Sequence, residues 1–179
     1  MRYVALLSGI NLGNRRISME TLAAYFEEYG FSGVRTYISS GNVSFDSTSK
    51  PDFLDLEEHL CDSLGFETTV AIFSLTELDE LLNSISQTLS GLIPNWQRPL
   101  RNPKIEGYRY IVALSSGEHQ LMPDSSVPRT ELLGQYPRAS LWLWTLADGR
   151  PPAAMDRLFV TKNTTRFAHT LEKIYQSAL

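Results

Sequence analysis

The strongest constraint on the fold lies in the first eighty residues. Short β-type apolar runs alternate there with stretches of helical period, each pair separated by turn residues. Tyr3 to Leu7 reads as a buried strand ended by Ser8-Gly9. Met19, Leu22, Ala23 and Phe26 recur at helical spacing, with Ser18 as N-cap and Gly30 as the stop. Val34 to Ile38 and Asn42 to Phe45 are strands around a Ser39-Ser40-Gly41 turn. Pro51 is suited to open the next helix, whose stripe is Phe53, Leu56, Leu60 and Leu64. Glu67 to Phe73 is a fourth strand. Ser74 and Glu77 then stand at capping-box spacing before the stripe Leu78, Leu81, Leu82 and Ile85. The order β-α-β-β-α-β-α predicts a ferredoxin-like split βαβ first half.

Beyond residue 86 the pattern breaks. Gly91, Pro94, Pro99 and Pro103 mark an irregular connection over 87–107. Tyr108 to Leu114 is a strand, and Thr130 to Gln135 with Ser140 to Leu146 predict a hairpin around Tyr136-Pro137-Arg138. Met155 to Val160 fits helix or strand, and the stripe Phe167, Leu171, Ile174 and Tyr175 predicts a last helix with Thr164 or Thr165 at its N-cap. The expectation is an α+β protein: a ferredoxin-like subdomain over 1–86, and a smaller α+β subdomain over 108–179 packed on it. Trp142 and Trp144 fall on one face of a strand, a core placement unless that face is open.

With 42% hydrophobic and 20% charged residues over 179 positions, a core can form without staples. Cys61 is the only cysteine, so no internal disulfide exists, which fits a reducing compartment. The apolar start is cut short by Gly9, too soon for a signal segment. No apolar run approaches the ~20 residues of a membrane span, and a cytoplasmic location is expected. Charge is uneven: residues 1–80 hold 13 acids against five bases, and residues 98–173 hold 11 bases against seven acids. An acidic first half argues against nucleic acid as partner, although Tyr3 and Phe45 stand where strand aromatics of RNA-binding sheets stack on bases. Arg98, Arg101, Lys104 and Arg109 interleave with Trp96, Tyr108 and Tyr110 in the basic half, a pattern that also suits a basic loop beside a core strand.

Three stretches resemble a family. Tyr3-Val4-Ala5-Leu6-Leu7-Ser8-Gly9-Ile10-Asn11-Leu12-Gly13 resembles the "YVALLRGINVGG" opening of the bacterial family named domain of unknown function 1697. Val34 to Val43 resembles its "VRTYIQSGNV", and Thr164-Thr165-Arg166 with Thr170 and Lys173 resembles its "TTRNWNTVTKL". The chain departs at Ser8, where the family has Arg, and at Phe167-Ala168-His169, where it has Asn-Trp-Asn. The resemblance implies an α+β fold with a ferredoxin-like first half and implies no reaction.

Topology supplies the candidate site. In such a sheet the first and third strands are adjacent and antiparallel, so Ser8, Gly9 and Asn11 should meet Ser40, Gly41 and Asn42. Arg15 and Arg16 stand just before the first helix, whose N-terminus favours anions. Thr165 and Arg166 form a second candidate at the last helix. The residues thus fit a crevice for a small anionic ligand. They equally fit ordinary turn chemistry, since the loop matches no dinucleotide or P-loop pattern. An interaction module without chemistry is the alternative, and a single-stranded nucleic-acid binder the third reading. His59, Cys61 and Asp62 fit a solvated helix face, and His119 and His169 stand apart. No catalytic constellation, metal site or cofactor motif emerges, and oligomeric state is not encoded in any pattern found.

Overall fold

The structure is a computed structural model. It describes all residues except 12, 14, 102–106, 124–125 and 148–154, and the side chains at 155 and 156. Contacts divide the chain into two units: Met1–Leu78 with Ile174–Leu179, and Asp79–Lys173.

The first unit follows the expected order: β1 (Arg2–Leu7), α1 (Met19–Glu28), β2 (Ser32–Thr36), β3 (Asn42–Asp46), α2 (Phe53–Leu64) and β4 (Val70–Ser74). Its sheet runs β2-β3-β1-β4. Every neighbouring pair is antiparallel, which is the strand order of a split βαβ arrangement. Tyr3, Ala5 and Leu7 of β1, with Val43 and Phe45 of β3, face Leu22 and Phe26 of α1 and Leu56 and Leu60 of α2 in one core. Phe45 stacks on Phe31 at 4.1 Å and on Tyr3 at 5.8 Å. Tyr3 and Phe45, weighed above as base-stacking residues, are therefore buried in the core and present no ring to a ligand.

Helix ends follow local chemistry. Ser18 caps α1 by accepting from the Thr21 amide at 3.0 Å. Asp52 caps α2 by accepting from the amides of Leu54 and Asp55. Pro51 thus precedes the cap, outside the first helical turn where it was expected. An aspartate side chain satisfies two otherwise orphaned amides, which proline cannot do. Gly65 ends α2 in the left-handed conformation at φ 72°.

Ser74 and Glu77 form the predicted capping box at the start of α3 (Leu75–Leu92). The helix runs past residue 86 because Leu89 continues its buried stripe, and no proline interrupts before Pro94.

The second unit contains β5 (Tyr108–Leu114), β6 (Thr130–Tyr136), β7 (Ala139–Thr145), a 3₁₀ turn (Met155–Leu158) and β8 (Thr164–Phe167). The last helix is α4 (Ala168–Ala178). The sheet order is β6-β7-β5-β8, again all antiparallel. It repeats the strand order of the first sheet. Where α1 would stand, the connection 115–129 contributes Val127 to the core. Where α2 would stand, the short 3₁₀ turn contributes Leu158. Trp142 and Trp144 are core, packed with Ile111, Ala113 and Phe159.

The last helix begins later than the sequence suggests. Thr164, Thr165 and Arg166 are strand residues that pair with Leu114, Ala113 and Val112. Threonine suits both a helix cap and a strand, and here the exposed backbone of β5 decides between them. Arg98 ties this unit together through an ion cluster in which Glu172 is buried. Its Nε donates to Glu172 at 2.9 Å and its Nη1 to Asp79 at 2.6 Å and Asn83 at 2.8 Å.

Candidate functional site

The antiparallel register of β1 and β3 sets Leu6 opposite Asn42. It brings the loop after β1 against the turn before β3. The Leu7 amide donates to the Gly41 carbonyl at 2.7 Å. A Cβ at Gly41 would lie 2.8 Å from Ile10 Cγ1 and 2.9 Å from Leu7 Cβ, and φ is +72°, so only glycine fits there. Asn11 clamps the loops: its Nδ2 donates to the Ser39 carbonyl at 3.1 Å, and its Oδ1 accepts from the Ile17 amide at 2.9 Å.

The other polar groups divide into structural and outward-facing. Asn42 is fully buried, donating from Nδ2 to the Tyr37 carbonyl at 3.0 Å and to Ser40 Oγ at 2.9 Å. It shapes the turn. Ser8 is similarly engaged: Oγ accepts from the Thr69 amide at 3.0 Å, and its carbonyl accepts from Thr68 Oγ1 at 2.8 Å. Arg15 differs. Its guanidinium lies over the Phe66 ring at 4.9 Å and donates to the Glu67 carbonyl at 3.4 Å. It also passes over Gly9, where a Cβ would sit 3.2 Å from Nη1. Arg16 reaches the Asn11 carbonyl at 3.5 Å. Neither arginine forms an ion pair with a described carboxylate; the salt bridges among described residues belong to Arg2 and Arg98.

The N-terminus of α1 contributes less than topology alone suggests. Its Thr21 amide is engaged by the Ser18 hydroxyl. Glu20 in its first turn is held below the usual carboxylate range by its own backbone amide and by Ser18.

Thr165 and Arg166, the second candidate, belong to another element. They lie in β8 of the second unit. Arg166 donates from Nη1 to Thr164 Oγ1 and to the Thr165 carbonyl, both at 2.8 Å. Burial pushes its pKa down to about 10, which leaves it a cation at neutral pH.

One cluster escapes the sequence altogether. His119 is buried, with Nδ1 at 2.8 Å from Ser115 Oγ and Nε2 at 2.8 Å from Ser140 Oγ. Ser140 Oγ also accepts from the Trp142 indole at 2.6 Å. Burial pushes the imidazole pKa down to about 4. Serine beside histidine suggests an activated nucleophile, but Ser115 is 2% exposed and Ser140 0%, and no described carboxylate bonds the ring. The network is a closed polar core. Ser115 and Ser140 stand 25 positions apart, and nothing local marks them as partners. His59 bonds the Tyr25 carbonyl, Cys61 bonds Thr68, and no group of metal-binding side chains occurs among the described residues.

The sequence profile of the family described as "Protein of unknown function (DUF1697)" matches residues 1–91, just over half the chain. The chain belongs to this family. Its fold is similar to that of a solved structure, the conserved bacterial protein SP0830 from Streptococcus pneumoniae. The two agree with a TM-score of 0.61 over 99% of this chain and 97% of that one, at 18% identity. Likeness at that identity establishes the fold alone. No sequence relative is found among the curated proteins. Among the described residues no helix is long and apolar enough to cross a membrane.

Proposed function

We propose that this member of the family binds a small anionic ligand, such as a phosphate ester or a carboxylate, between the β1–α1 loop and the β2–β3 turn. The observation that carries the reading is Arg15. Its guanidinium is held in place by the Phe66 ring and the Glu67 carbonyl, without an ion-pair partner among the described residues. A cation ordered before its ligand arrives loses less entropy on binding, and it offers the fork geometry that suits phosphate and carboxylate. Gly9 leaves room beneath it, Arg16 adds a second charge, and Ser40, Gly41 and Asn42 shape the opposite wall.

The test is thermal shift against inorganic phosphate, sugar phosphates and small carboxylates. A ligand at 100 times its dissociation constant stabilises by ~2.7 kcal/mol. Arg15→Ala should abolish the stabilisation while leaving the melting temperature of the free protein within a few degrees. A ligand whose stabilisation survives in the Arg15→Ala, Arg16→Ala double variant would refute this site. So would a panel in which no small anion stabilises the protein.

A further inference from the structure

A different surface, in the second unit, combines an open ring with charge that the fold leaves uncompensated. Phe167 ends β8 and is 41% exposed. Its ring lies nearly parallel to that of His169 on α4, with centroids 5.6 Å apart and planes 14° from each other. Lone exposed aromatics are common and need no explanation. The surroundings of this pair are less ordinary. Lys173 is four residues beyond His169 and shares its face of α4. Arg109 comes from β5, the strand paired with β8. Burial, then Lys173 and Arg109, lower the pKa of the imidazole, so both cations stand within electrostatic reach of it.

Neither cation forms an ion pair with a described carboxylate. Arg109 donates from Nη1 to the Tyr108 carbonyl at 2.6 Å, which leaves most of its fork outward. The one acid of α4, Glu172, is turned away into the Arg98 cluster and is 2% exposed. An uncharged imidazole stacked under an open phenyl ring makes a platform for a flat ring, and two cations at its side select for an anion.

We propose that the Phe167–His169 stack with Arg109 and Lys173 is a second ligand site, which takes a free small molecule joining a planar aromatic ring to a phosphate, a mononucleotide being the simplest case. The ring stacks on Phe167, and the phosphate is held by Arg109 and Lys173. None of its residues belongs to the first unit, which holds the Arg15 loops.

The experiment is isothermal titration of the full chain with adenosine 5′-monophosphate, adenosine, ribose 5-phosphate and a single-stranded hexanucleotide. The monophosphate should bind at least about tenfold more tightly than adenosine or ribose 5-phosphate, since each fragment lacks one of the two contacts. Arg109→Gln and Lys173→Gln should each weaken the monophosphate by about fivefold to tenfold. Phe167→Ala should weaken it about tenfold and leave ribose 5-phosphate unchanged. Arg15→Ala should have no effect, which separates this site from the one proposed above. The changed side chains are at least partly exposed, and melting temperatures near that of the parent would show that folding is retained. The proposal is overturned if the monophosphate fails to bind, or if binding survives the Arg109→Gln, Lys173→Gln double variant. It is also overturned if the hexanucleotide binds far more tightly with a salt dependence of more than about two charges, which would mark a nucleic-acid surface instead.

Discussion

Acid should destabilise this protein through His119, by an amount that can be worked out from its surroundings. In the folded chain the imidazole is enclosed by the Ser115 and Ser140 hydroxyls and the Phe159 ring, and its pKa falls from 6.5 to about 4. The unfolded chain therefore takes up a proton at this residue below pH 6.5, while the folded chain resists it until about pH 4. The stability that depends on neutral His119 is complete above pH 6.5 and is lost as the pH falls through this window. Linkage between the two values gives a loss of about 2.5 kcal/mol on going from about pH 8 to about pH 4.5. The hydrogen-bond chain supplies the reason. The Trp142 indole donates to Ser140 Oγ, and the hydroxyl's own hydrogen has Nε2 of the neutral ring as its acceptor among the described groups. A protonated ring would need Ser140 to accept twice, and its own hydrogen would lose its partner in the core. Carboxylates also titrate in acid, so the measurement is a comparison with His119→Asn. The variant is less stable at neutral pH, and the gap between it and the parent should close as the pH falls. In urea denaturation followed by circular dichroism, that closure should amount to about 1 M in the difference between midpoints. A gap that stays constant from pH 8 to pH 4.5 would refute the reading that His119 is held neutral.

Two further perturbations test the framework. Gly41→Ala places a Cβ against Ile10 and Leu7 at positive φ, and should cost about 2–4 kcal/mol in chemical denaturation; a loss below about 0.5 kcal/mol would mean that the two loops do not approach as described. Arg98→Ala removes the guanidinium paired with the buried Glu172 carboxylate and should cost about 3 kcal/mol, with Arg98→Lys intermediate because ammonium cannot reproduce the fork to Glu172, Asp79 and Asn83.

The repeated strand order bears on how the two units differ. Both sheets place the end of their first strand beside the start of their third. In the first unit that junction is the Arg15 loop pair, with two guanidinium groups facing outward. In the second unit the corresponding junction holds Ser115 at the end of β5 and Ser140 in β7, and His119 fills the space between them. A single topology thus supports an open polar junction in one unit and a closed one in the other. The difference lies in exposure: Arg15 and Arg16 are exposed, whereas Ser115, His119 and Ser140 are buried.

Periodicity and turn residues determined the element order of the first unit, the capping box at Ser74 and Glu77, the hairpin of β6 and β7, and the buried placement of Trp142 and Trp144. These are local signals, because burial along a strand or helix repeats at the period of its backbone. The meeting of Ser8 to Asn11 with Ser39 to Asn42 also followed, since strand order alone brings those ends together. Tertiary structure decided the rest. It turned Asn42 inward to hold its own turn, laid Arg15 over Phe66, and drew Thr164 to Phe167 into β8 when the same threonines could have capped a helix. It joined His119 to Ser115 and Ser140, and it brought Arg109 of β5 within electrostatic reach of His169. Each of these depends on which backbone or ring is nearby once distant segments have closed on one another, and neither composition nor period carries that information.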